Sequence, residues 1–105
     1  MKKVTLTIDI KFRAGISEGE KEEVFDEIEK LLNIKINRNT INDTLRIQKT
    51  NYINEDNFQY LLLHLTPFCL YIEQIYKNHK NKFESFESQI YEITKPLYKI
   101  FEYKE

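Results

Sequence analysis

The chain has 105 residues, with 16 Lys and Arg against 17 Asp and Glu, a formal net charge of −1. It is 41% hydrophobic, with two Gly and one Cys, which excludes collagen-like, disulfide-framework and disordered chains. The length suits a single domain over 1–105, and the near-neutral charge argues against a generic polyanion binder.

Val4, Leu6, Ile8, Ile10 and Phe12 alternate with Thr5, Thr7, Asp9, Lys11 and Arg13, the period-two pattern of a half-buried strand. Met1-Lys2-Lys3 opens like a signal peptide, but the alternation that follows is too polar for an apolar leader segment. Ala14-Gly15-Ile16 marks a turn. Ser17 with Glu20 three residues on is a capping box, in which hydroxyl and carboxylate satisfy N–H groups at a helix start. Val24, Phe25, Ile28, Leu31 and Leu32 follow at helical spacing, and Asn33 is placed to close the helix. Ile34 and Ile36, then Leu45 and Ile47, alternate with polar residues around the turn formers 38–44. That predicts a hairpin of strands 34–39 and 44–50.

Phe58, Leu61, Leu62 and Leu65 sit at i, i+3, i+4 and i+7, a helical face. Thr66-Pro67 either starts a second helix, with Phe68, Ile72, Ile75 and Tyr76 on its buried side, or kinks a single one. The window 58–76 is the most membrane-like, yet Gln59, His64, Thr66, Pro67, Glu73 and Gln74 interrupt it, so buried helices are the expectation. Asn78-His79-Lys80-Asn81 is a polar break. Phe83, Phe86, Ile90, Ile93 and Leu97 then predict a last helix, kinked or restarted at Pro96 and fraying near Tyr103.

The expected fold is therefore α+β: a three-stranded, mainly antiparallel sheet in the order strand-helix-strand-strand, followed by two or three C-terminal helices packed on it. The first half resembles the opening of a ferredoxin-like layout, which many unrelated small proteins share and which carries no function.

The sequence offers no catalytic constellation. His64 and His79 lie fifteen residues apart, without the spacing of a metal-ligand pair, and two His with one Cys do not close a zinc site without acidic ligands. Neither a nucleophile elbow nor a phosphate loop is present, and the segment Gly15-Ile16-Ser17-Glu18-Gly19-Glu20-Lys21 lacks the spacing and carries acids that repel phosphate. Cys69, between Phe68 and Leu70, reads as a small core residue. A lone cysteine forms no internal disulfide, which suits a reducing, cytoplasmic setting.

Charge is uneven. Residues 18–29 hold seven acids and one lysine, whereas 34–50 hold Lys35, Arg38, Arg46 and Lys49 against Asp43 alone. Twelve of the fourteen aromatics lie between Tyr52 and Tyr103, more than a chain this small can bury. Tyrosines among Tyr60, Tyr71, Tyr91, Tyr98 and Tyr103 are therefore expected at the surface. The leading expectation is a small cytoplasmic protein without cofactor that binds another protein. It would be an inhibitor or immunity-type protein of a phage or mobile element, occluding a toxin or enzyme with a basic surface. Glu20, Glu23, Asp26 and Glu27, with Tyr60, Tyr91 and Tyr98, would meet that partner. The alternatives are a nucleic-acid or ribonucleoprotein binder using Lys35, Arg38, Arg46 and Lys49 on the hairpin 34–50, and a homo-oligomeric accessory subunit. A membrane partner is not expected.

Overall fold

The computed structural model describes residues 2–38, 43–54, 58–93 and 95–104. Strand β1 (Lys2–Phe12) is the centre of the molecule: Val4, Leu6, Ile8, Ile10 and Phe12 are all fully buried on one face. Each such side chain contributes about 2 kcal/mol of transfer free energy, enough to fix the strand's register and facing. Helix α1 (Glu18–Leu32) begins as its sequence dictates. Ser17 caps it by accepting the Glu20 N–H at 3.2 Å, and the Ser17 hydroxyl donates to the Glu20 carboxylate at 3.2 Å. Asn33 ends it in the left-handed conformation with φ 52°, a position asparagine tolerates.

Strand β2 (Thr44–Ile53) pairs antiparallel with β1 over ten consecutive residues, from Lys2 opposite Ile53 to Lys11 opposite Thr44. The predicted hairpin is thus corrected. Its second strand exists, but residues 34–38 carry no strand and residue 39 lies outside the described residues. Pairing with β1 buries Leu45 and Ile47 beside Ile10 and Ile8, an apolar partner that a polar local turn does not supply. Helix α2 (Phe58–Asn78) is one continuous helix with Pro67 inside it. Pro67 offers no N–H to the Leu63 carbonyl, and Leu63 is 73% exposed, so water can take that place.

The larger correction concerns the C-terminal third. The predicted last helix is a hairpin of β3 (Phe83–Glu92) and β4 (Lys95–Lys104), reached through a short 3₁₀ turn, Lys80–Lys82. The described strands form one antiparallel sheet in the order β2-β1-β3-β4. The element order is therefore β-α-β-α-β-β: four described strands and two helices in place of three strands and a helical end. Phe83 and Phe86 look helical because of an irregularity. Lys11 faces Ser85 and Phe12 faces Phe83, so Glu84 is an extra residue on β3. Without that bulge, side chains three residues apart point to opposite faces of a strand; with it, both phenylalanines enter the core. Ser88, also fully buried, fills the inward position between Phe86 and Ile90 and hides the alternation. Ile93, expected in the core, is 84% exposed at the β3–β4 turn, and Leu97 is half-buried on the bulged edge strand.

Both helices pack on the face of the sheet that carries Phe12 and Phe83. Phe25 of α1 meets the edge of Phe12 at 5.8 Å, and Tyr76 of α2 stacks on Phe83 at 5.5 Å and on Tyr103 at 5.8 Å. The other face of the sheet is open and polar: Arg46 forks onto Asp9 at 2.8 and 3.1 Å, and Thr5 bonds Thr50 at 3.2 Å.

Candidate functional surfaces

The acidic face of α1 is engaged by the protein's own donors. Arg38 reaches back from the segment after the helix, pairing with Glu22, with Asp26 at 2.7 Å and with Glu29, while its guanidinium lies 5.7 Å from the Phe25 ring centre. Lys82 approaches Glu23 at 3.4 Å, and His79 bonds Glu27 at 2.5 Å. Glu20 belongs to the capping box. Lys21, buried in the same helix, bonds Asp43 at 2.9 Å and Glu18 at 3.5 Å. The Asp43 hydrogen bond raises its pKa against the opposing effect of burial, so the ammonium stays charged and pins the start of β2 to α1.

The seven acids of the helix therefore all have an internal partner, and the tyrosines grouped with them lie elsewhere. Tyr91 stands opposite Thr5 on the open face, across the sheet from α1. Tyr98 stands opposite Ile90 on edge strand β4, 48% exposed. Tyr60 is on the first turn of α2, and its side chain lies outside the described residues. Glu20, Glu23, Asp26 and Glu27 share a helix, whereas Tyr91 does not share their side of the molecule.

The four cations of the nucleic-acid alternative also separate. Lys35, Arg46 and Lys49 line a groove of about 1080 Å³ along β2, whereas Arg38, in the segment after α1, lies against the acidic face of that helix. Within the groove Arg46 is bound to Asp9, and Glu87 adds a second carboxylate. Lys49 lies 5.1 Å from the Phe68 ring centre.

The surface that sequence reasoning missed is the outer face of α2. From Phe58 to Ile72 the helix carries no Asp, Glu, Lys or Arg. Leu63, Pro67, Leu70 and Gln74, at i, i+4, i+7 and i+11, form one exposed stripe flanked by Tyr71 and His64. Leu63 is 73%, Leu70 48% and Tyr71 56% exposed. The signal was present in the sequence as apolar residues on both sides of a helix, which were assigned to burial. His64 is exposed on this face. No described helix is long and apolar enough to cross a membrane.

Cys69 is fully buried, and desolvation pushes its thiol up to about 11 against the opposing pull of a hydrogen bond with Ser88. A thiol so placed is a packing group and not a nucleophile. Glu73, also buried, is held by Lys77 at 2.9 Å and by the Tyr103 hydroxyl, which donates at 3.3 Å and ties β4 to α2. Among the described residues no group of three or more His, Cys, Asp and Glu is arranged to hold a metal ion. Comparison with known proteins gave no match: no family model fits the chain, and no curated protein or solved structure is significantly similar to it.

Proposed function

We propose that the protein works by binding another protein, with the outer face of α2 as its docking surface. The observation that carries this is the uncharged, exposed stripe Leu63–Pro67–Leu70 with Tyr71, on a helix whose opposite side is already committed to the core. Interface centres are depleted in charge and enriched in aromatic groups, and this face has both properties. In this reading a small rigid body covers a partner's functional surface, as an inhibitor or immunity-type protein does, and the site needs no chemistry of its own. The acids of α1 supply a negative rim that steers approach to a basic surface, an effect on association rate more than on affinity.

Purified protein immobilised through a tag, incubated with native host lysate after nuclease treatment, tests the reading. Leu63→Glu combined with Leu70→Glu abolishes capture of a protein partner, changes stability by no more than about 0.5 kcal/mol, and is compared with Glu23→Lys combined with Glu27→Lys, which slows binding at low salt. Equal capture by wild type and the leucine variant overturns the assignment. Capture that requires nucleic acid and falls steeply with salt moves it to Lys35, Arg46 and Lys49. Light scattering separates a self-associating subunit from both.

A further inference from the structure

The groove along β2 is bounded by two stretches of consecutive residues. Arg46, Ile47, Gln48 and Lys49 form one wall and Ile34 to Asn37 the other, and the groove continues onto the open face of the sheet past Asp9, Lys11, Ser85 and Glu87. Alternate residues of a strand line a groove that lies over a face; consecutive residues line one that runs along an edge. Among the described strands β2 is an edge of the sheet, and its pairing with β1 runs without a register shift. The opposite edge is broken by devices that discourage strand addition: β4 has two register irregularities and Pro96 near its start. The β2 edge is thus the regular one of the two.

The chemistry of the slot selects its occupant. Ile47, Phe68 and Leu32 give one side an apolar lining. Lys35 and Lys49 have no carboxylate at ion-pair distance among the described residues, whereas Arg46 is bound to Asp9. Two copies of this chain pairing β2 to β2 antiparallel about the strand centre would bring the two Lys49 side chains close together, a like-charge contact that opposes self-pairing.

We infer that this slot receives an extended peptide segment of a partner protein, which adds a strand to β2 with apolar side chains toward Ile47 and Phe68 and acidic ones within reach of Lys35 and Lys49. Main-chain hydrogen bonds supply the general affinity of such an addition, and the side-chain pockets supply its selectivity. The site is separate from the docking face of α2 and does not depend on it.

The test is selection of binders by the purified protein from a library of short synthetic peptides in which apolar residues alternate with Asp, Glu, Ser or Thr. Amide hydrogen exchange on wild-type protein then reads the site of the selected peptide. Protection of alternate β2 amides by at least about tenfold is expected, as one side of a strand forms new bonds. Lys35→Glu combined with Lys49→Glu should weaken the peptide about tenfold or more, with Lys30→Glu and the paired leucine variant of α2 binding as wild type. No binder, or a binder that leaves β2 exchange unchanged, overturns the inference. So does protection of β2 in a dimer without peptide, or displacement of the peptide by a single-stranded oligonucleotide at equal concentration.

Discussion

Helix α1 shows solvent a row of carboxylates, and α2 shows it Leu63, Pro67, Leu70 and Tyr71. By charge alone α1 is the obvious docking face, yet its acids are met from three directions: by Arg38 from the segment after the helix, by His79 and Lys82 from the connection into β3, and by Ser17 and Lys21 within its own first turns. On α2, Leu63, Leu70 and Tyr71 stay exposed on the outer stripe. Formal charge counted along a sequence therefore misjudges which surface is available, because an ion pair closed inside the molecule is a structural tie. The tie holds the segment after α1 against the helix and so shapes one wall of the groove at β2.

The strongest test of the comparison is to strip the inner faces, where the two helices should behave alike. Ile28→Ala on α1 and Ile72→Ala on α2 both remove a fully buried side chain, and each should cost about 2–5 kcal/mol in urea unfolding. A loss confined to one helix would mean that the other is only loosely held.

Each helix buries a group that acts in the alkaline range, Cys69 on α2 and Lys21 on α1. The Cys69 thiol is held protonated by burial, with a pKa of about 11, whereas the unfolded chain loses that proton near its ordinary value of ~8.5. Its contribution is therefore complete below the unfolded value and is lost as pH rises through the folded one. The raised pKa of Lys21 has the same sign, with the loss starting higher, above the ordinary lysine value. Stability should fall by on the order of 2–3 kcal/mol between about pH 8.5 and 11 on account of Cys69, and Cys69→Ala should flatten that fall in pH-dependent thermal unfolding. An equally steep fall in the variant would assign the effect elsewhere.

The smallest effect separates the outer faces. Arg38→Ala leaves Glu22, Asp26 and Glu29 without their shared cation and uncovers the Phe25 ring, and should cost about 1 kcal/mol at low salt and less at high salt. Lys30→Ala, on an exposed position of the same helix, is the control and should be close to neutral. Equal effects would mean that the Arg38 cluster is an unimportant surface contact.

Local signals in the sequence were sufficient for β1, whose alternation is unbroken over ten residues, and for α1, where the Ser17 and Glu20 box and the Asn33 terminus are short-range devices. They were sufficient for the existence of α2 and of a strand over 44–50, which the structure extends to Ile53, and for the burial of Cys69, Ile72 and Phe86. They failed where one local pattern admits two periods. In 83–97 the extra residue at Glu84 and the buried Ser88 turn a strand's alternation into a helical spacing, and the misreading moved Tyr91 and Tyr98 from strands to a helix. Strand pairing was equally out of reach: β2 chooses β1 over the segment 34–38 because β1 offers Ile8 and Ile10, distant in the chain but adjacent in space. The same holds for both functional surfaces. Whether an acid is paired, whether an apolar residue is covered, and whether a strand edge is left open are decided by elements far apart in sequence. Composition and capping are properties of neighbouring residues, whereas exposure and ion pairing exist only once the chain has closed on itself.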